Sequence, residues 1–166
     1  MTAKHFQNTR PNAGFSLVEL AVTLAILSVL AAIAMPSFFQ LLVRKEMDSA
    51  QRNIAVAINK AKTLARTQST TVTVSQLNDG SGVTLTSGVL IQAQTFPIKD
   101  ANVVFRDSGG NPMAPASFTF DALGKVTPSS GGKIEITSSR DNNGKVKIIE
   151  ITNGFGHIKL DERDAT

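Results

Sequence analysis

The chain has 166 residues, 42% of them hydrophobic, and a formal charge of +4. That length holds one globular domain with an appended helix and is too short for two ordinary domains. Cysteine is absent, which excludes a disulfide framework and any thiolate metal or redox site; Trp and Tyr are absent too, removing the side chains most often found as binding anchors.

Residues Met1 to Gly14 are polar, carry Lys4 and Arg10, and contain no acid. An apolar run follows from Phe15 to Val43, broken near its start by Glu19 and then uncharged until Arg44. Basic residues ahead of such a run keep the N-terminus cytoplasmic and send the C-terminal part across the membrane. As a helix, the roughly 21 residues from Phe15 to Met35 span about 30 Å, the thickness of a bilayer core. Three readings are open: a plain signal anchor, a secretory signal cut near Ala32-Ile33-Ala34, and a processed assembly helix. The secretory reading must either take Glu19 into its apolar region or begin late at Leu20, and the run continues past the supposed cut. A carboxylate in the apolar part of a membrane helix costs about 2.5–3.5 kcal/mol at the centre and less near an interface. Glu19 therefore calls for a partner or a headgroup. If the leader is removed, 15 basic and 13 acidic side chains remain, so a pI near 9.6 says little about nucleic acid.

The string Gly14-Phe15-Ser16-Leu17-Val18-Glu19 resembles the processing signal of type IV prepilins and type II secretion pseudopilins. The resemblance implies cleavage by a prepilin peptidase between Gly14 and Phe15 and N-methylation of Phe15. It implies insertion as a single-pass protein of the bacterial inner membrane, with the N-terminus cytoplasmic and the C-terminal domain periplasmic. Assembly into a pilus or pseudopilus with other pilins or pseudopilins would follow. It also implies that Glu19 pairs with the N-terminal amine of a neighbouring subunit. Two opposite charges in a low-dielectric bundle attract strongly and are costly alone, so such a pair sets axial register. Pro36 removes one helical hydrogen bond and is expected to kink or loosen the helix there. In similar pilins a proline here marks a segment that melts during assembly; a membrane-exit kink is the plainer reading.

From Arg44 to about Gln68 the pattern is amphipathic. Met47, Ala50, Ile54, Ile58, Ala61 and Ala65 recur at spacings of three and four and form one stripe. Arg44, Lys45, Arg52, Lys60, Lys62 and Arg66 fall on the flanks or the opposite side. That basic face could meet DNA or phospholipid headgroups, but no aromatic residue interleaves with it, which favours a solvated face touching neighbouring helices.

After Ser69 the period becomes two. Candidate strands are 71–75, 83–86, 89–92, 102–106, 117–121, 125–127, 133–137, 145–152 and 156–160, separated by Gly- and Asn-rich turns. The expectation is an α+β, type IV pilin-like architecture. Its long N-terminal helix has a membrane-spanning first half and an amphipathic second half packed on an antiparallel β-sheet domain, read as a meander. The expected segments are 1–14 (cleaved leader), 15–43 (transmembrane and assembly helix), 44–69 (amphipathic helix) and 70–166 (β domain).

Three further segments are similar to the GspH/FimT-type minor pilin domain: Lys62-Thr63-Leu64-Ala65-Arg66, Phe120-Asp121-Ala122-Leu123-Gly124-Lys125-Val126, and Asn153-Gly154-Phe155-Gly156-His157-Ile158-Lys159. With Met35-Pro36-Ser37-Phe38 they carry the resemblance across nearly the whole chain. It implies a minor pilin that primes or caps a type IV pilus, a minor pseudopilin of a type II secretion system, or a pilus-borne DNA receptor for natural transformation. Met35-Pro36-Ser37-Phe38 tilts the reading toward the pilus.

Catalysis finds no support. His157 is the one histidine beyond the leader and sits in an expected strand, and no nucleophile elbow, phosphate loop or zinc helix appears. No cofactor or metal is expected, because the acids are scattered. Among the FimT-like proteins, DNA receptors use a Gly-Arg-x-Arg ending, where this chain has Gly156-His157-Ile158-Lys159. Histidine is mostly neutral at pH 7, and lysine lacks a bidentate fork. Arg140, Lys145 and Lys147 would have to join His157 and Lys159 on one face for DNA to bind.

Overall fold

The computed structural model describes residues 15–88, 92–98, 101–141, 144–152 and 154–164. The leader with Gly14, most of the expected strand at 89–92, the turn residues Asn142 and Asn143, and Asn153 lie outside these. The chain divides after Phe38, two residues past Pro36, into two compact units, Met1–Phe38 and Phe39–Thr166.

Helix α1 runs from Leu17 to Thr67 without interruption, with Pro36 inside it. In the first unit its apolar side chains, from Leu17 through Ile33 and Phe38, are exposed. It is long and apolar enough to cross a membrane. Its hydroxyls suit that role, since Thr23 Oγ1 donates to Leu20 O at 2.8 Å and Ser28 Oγ to Ala25 O at 2.7 Å. Both hydroxyls are thus satisfied within the helix, as a lipid environment demands.

In the second unit the expected stripe is the buried face. Met47, Ala50, Ile54, Ile58, Ala61 and Ala65 are all buried, and Val43, Gln51 and Ala57 widen it. Burying Ile54 or Ile58 contributes about 2–3 kcal/mol each against exposure. The helix ends as Ser69 turns to a positive φ of 49° and Thr70 N donates to Ala65 O at 3.1 Å, closing the last turn.

Among the described residues nine strands follow: β1 (Val72–Gln76), β2 (Gly82–Ser87), β3 (Gln94–Pro97), β4 (Asn102–Asp107), β5 (Ser117–Phe120), β6 (Val126–Thr127), β7 (Gly132–Thr137), β8 (Lys145–Ile151) and β9 (Ile158–Asp164). Their pairings are all antiparallel, but they form two sheets, ordered β3-β2-β1-β5-β6 and β4-β7-β8-β9. The expected single meander is corrected here: β4 leaves the first sheet, and β5 returns to pair with β1. Val72 and Val74 on β1, Phe118 and Phe120 on β5, Val103 and Phe105 on β4, and Ile134 and Ile136 on β7 turn inward together. Phe105 and Phe118, one from each sheet, meet with ring centroids 5.5 Å apart. One core thus joins helix and both sheets, and splitting the strands between two sheets wraps more apolar surface around one helix. Strand β3 was not expected; it is a short edge strand, which tolerates Pro97 at its end.

Candidate functional site

Phe15 and Glu19 lie at the start of α1. Ser16 opens it, with its Oγ accepting from Val18 N at 3.4 Å and its carbonyl from Leu20 N at 3.1 Å. Glu19 falls in the first turn, where a carboxylate also suits the positive end of the helix dipole. Its side chain makes no ion pair with any described residue. The geometry is an apolar helix with one negative charge a turn from its tip.

The residues read as DNA contacts are brought to the second sheet, but each lysine and arginine there meets a carboxylate. Arg140 Nη2 donates to Glu46 Oε2 at 2.6 Å. Lys145 Nζ lies 2.8 Å from Glu162 Oε1, and Lys147 Nζ lies 2.7 Å from Asp48 Oδ1 and also contacts Glu162. The hydrogen bond from Lys145, then that from Lys147, holds the Glu162 carboxyl down at about 2, far below the usual range. Burial opposes the charge on Lys147, yet its two carboxylate partners raise its pKa above the ordinary value. Lys159 is exposed, with Asp161 3.9 Å away.

Register explains these pairs. Strand β9 runs to Asp164, four residues beyond the expected end, so Asp161, Glu162 and Asp164 are strand residues: Lys147 faces Glu162 and Lys145 faces Asp164 across the ladder. His157 precedes the strand instead of lying in it; its carbonyl accepts from Thr152 N at 2.9 Å and its side chain is solvent-facing. Asp48 and Glu46 on the helix link it to Lys147 on β8 and to Arg140 in the turn before it.

Sequence reasoning missed two polar features that fix this region. Gln51, buried on the helix, donates through Nε2 to Ile148 O at 2.9 Å and Asp161 O at 3.0 Å, tying α1 to β8 and β9. Glu135, with 7% of its side chain exposed, sits 2.5 Å from both Arg106 Nε and Arg163 Nη2. Its alternation with Ile134 and Ile136 marks it as facing away from the core, but not that two arginines close over it. Among the described residues no group of His, Cys, Asp and Glu could hold a metal ion.

The prokaryotic N-terminal methylation motif matches residues 9–35. Among solved structures, the chain is similar to the type IV minor pilin FimU of Pseudomonas aeruginosa, with 17% identity, a TM-score of 0.55, and coverage of 73% of this chain and 92% of that one. It is also similar to the minor pseudopilin EpsH from the type II secretion system of Vibrio cholerae, with 13% identity, a TM-score of 0.54, and coverage of 71% and 94%. At such identities the likeness speaks to the fold, while the motif speaks to the N-terminal segment. The chain thus joins the prokaryotic N-terminal methylation motif to a fold like that of these minor pilin and pseudopilin structures.

Proposed function

We propose that the chain is a minor pilin, cleaved between Gly14 and Phe15, methylated on Phe15, held in the inner membrane by α1 and then assembled through that helix. The observation that carries this reading is the methylation motif over residues 9–35, running into an exposed apolar helix with Glu19 near its tip. Glu19 meets the N-terminal amine of a neighbouring subunit, which compensates a charge that lipid alone would leave costly. Pro36 marks where the helix yields during assembly, and other pilins and the prepilin peptidase are the partners. A priming or tip role is the reading for such a minor pilin; the corresponding place in a type II secretion pseudopilus shares the same local physics, and the fold likeness is nearly equal for both. DNA capture lacks support from the geometry, because Arg140, Lys145 and Lys147 already face carboxylates.

Mass spectrometry of the mature protein tests the processing: the expected N-terminus is N-methylated Phe15, and a start at Met35 would refute it. Glu19→Ala is expected to insert and be cleaved normally but to assemble poorly, and normal incorporation of that variant would remove the pairing argument.

A further inference from the structure

The three stretches Lys62–Arg66, Phe120–Val126 and 154–159 are apart in sequence, and the fold brings them to one corner of the second unit. Arg66 Nε donates to Leu123 O at 3.3 Å, Lys62 Nζ lies 3.4 Å from Gly156 O, and Val126 N donates to Gly154 O at 3.1 Å. Gly124, at φ 76°, lets this happen: a Cβ there would lie 2.3 Å from Arg66 Nε.

Two features of this corner are only partly answered by the described residues. The first is charge. Cations of the strands and of the turn before β8 pair closely with carboxylates, as Arg106 does with Glu135, Arg140 with Glu46 and Lys147 with Asp48. Lys62, Arg66 and Lys125, like Arg44, Lys45, Arg52 and Lys60 on α1, have no ion pair with any described residue, but only these three stand beside exposed apolar turn tips. The one carboxylate of the segment, Asp121, is spent on its own turn, accepting from Leu123 N at 2.9 Å and Lys125 N at 2.7 Å. Partial burial, and then the neighbouring Arg66, push the Lys62 ammonium below its ordinary pKa. The second feature is apolar: Leu123 is 64% exposed and Phe155 53% exposed, each at the tip of a turn beside these cations. The turns are pinned, by Asp121 on one side and by the Thr152 N to His157 O bond (2.9 Å) on the other. Apolar anchors held ready on fixed turns bind with little ordering cost.

We propose that this corner is a subunit-docking face, on which a neighbouring filament subunit buries Leu123 and Phe155 and places a carboxylate between Lys62 and Arg66. The partner is protein, because the site joins two apolar tips to a small cationic pair, whereas a polyanion needs a run of cations and gains little from an isolated leucine. The proposal rests on the reading of the chain as a filament subunit.

The absence of cysteine makes a single introduced thiol unique. Full-length Leu123→Cys and Phe155→Cys, produced in cells assembling the filament and labelled with a photoreactive maleimide, are irradiated, and the adducts are identified by mass spectrometry. Thr86→Cys, an exposed position on β2, is the reference. Adducts to another subunit carrying the methylation motif, at a segment containing Asp or Glu, are expected in at least about tenfold higher yield than from Thr86→Cys, with Lys62→Glu/Arg66→Glu lowering that yield by about tenfold or more. If the double variant does not accumulate, Lys62→Gln/Arg66→Gln carries the same test. Adducts to lipid or nucleic acid, yields no higher than from Thr86→Cys, or yields unchanged by loss of the two charges would each overturn the proposal. The mature N-terminus and the Glu19→Ala phenotype, scored in the same cells, report on the filament-subunit reading independently.

Discussion

Strand β9 pairs with β8 along its whole length, and beyond that ladder its side chains are held largely by charge. Of its seven residues only Ile158 is partly buried and the rest are exposed, so apolar burial anchors little beyond its first residue. Glu162 contributes two of its side-chain ion pairs, with Lys145 and Lys147, and the second of these also reaches Asp48 on the helix. The substitution Glu162→Gln keeps the shape and removes the charge. Each tenfold change in proton affinity corresponds to about 1.4 kcal/mol, so a carboxyl held near 2 instead of in the usual glutamate range would correspond to about 3 kcal/mol. The side chain is 35% exposed, and solvent screening brings the expected contribution to about 1 kcal/mol. The sign follows from the lowered pKa: the stabilisation is complete above the unfolded-state value and is lost as pH falls through about 2. Hydrogen exchange of the β9 amides, measured on the full chain in detergent micelles, reads this directly. At neutral pH, Glu162→Gln is expected to speed exchange across β9 about fivefold, relative to the wild type, and to leave β1 and β5 unchanged. The difference should shrink as pH falls below about 4 and be mostly gone near 2. A difference that persists at the acid end, or equal exchange at neutral pH, would refute the view that this carboxylate fastens the strand.

Gly124→Ala is expected to destabilise the second unit by about 1–3 kcal/mol, because alanine at positive φ is strained and its Cβ would collide with Arg66. Adding Arg66→Ala should recover only part of the loss in urea titrations of the full chain, since the backbone strain remains. Gln51→Met preserves volume but strips two carbonyls of a donor, and about 1–3 kcal/mol of lost stability is expected from thermal unfolding. A Gln51→Met variant as stable as the wild type would show that water replaces the amide without cost.

The sequence by itself determined the elements whose signals are local. An uncharged run of apolar residues after a basic leader can only be a long apolar helix, and the prepilin-like string at Gly14 to Glu19 needs no tertiary contact to be read. The stripe from Met47 to Ala65 was legible because burial against one side repeats at helical spacing, and most strands were legible from alternation. Partner choice was not. Alternation at Thr71–Ser75 and at Ser117–Asp121 says that each is a strand, not that β5 returns beside β1, because the pairing depends on where two distant stretches of chain meet. The same holds for charge. Lys145 and Lys147 look like a basic pair along the chain, and only the register of β8 with β9 places Glu162 across from Lys147 and within reach of Lys145. Conversely, Lys62 and Arg66 look like an ordinary solvated helix face, and only the fold sets them between Leu123 and Phe155 with no carboxylate to answer them. Periodicity reports which side of an element is buried; what that side meets is fixed by contacts between residues remote in sequence, and those the tertiary structure alone decided.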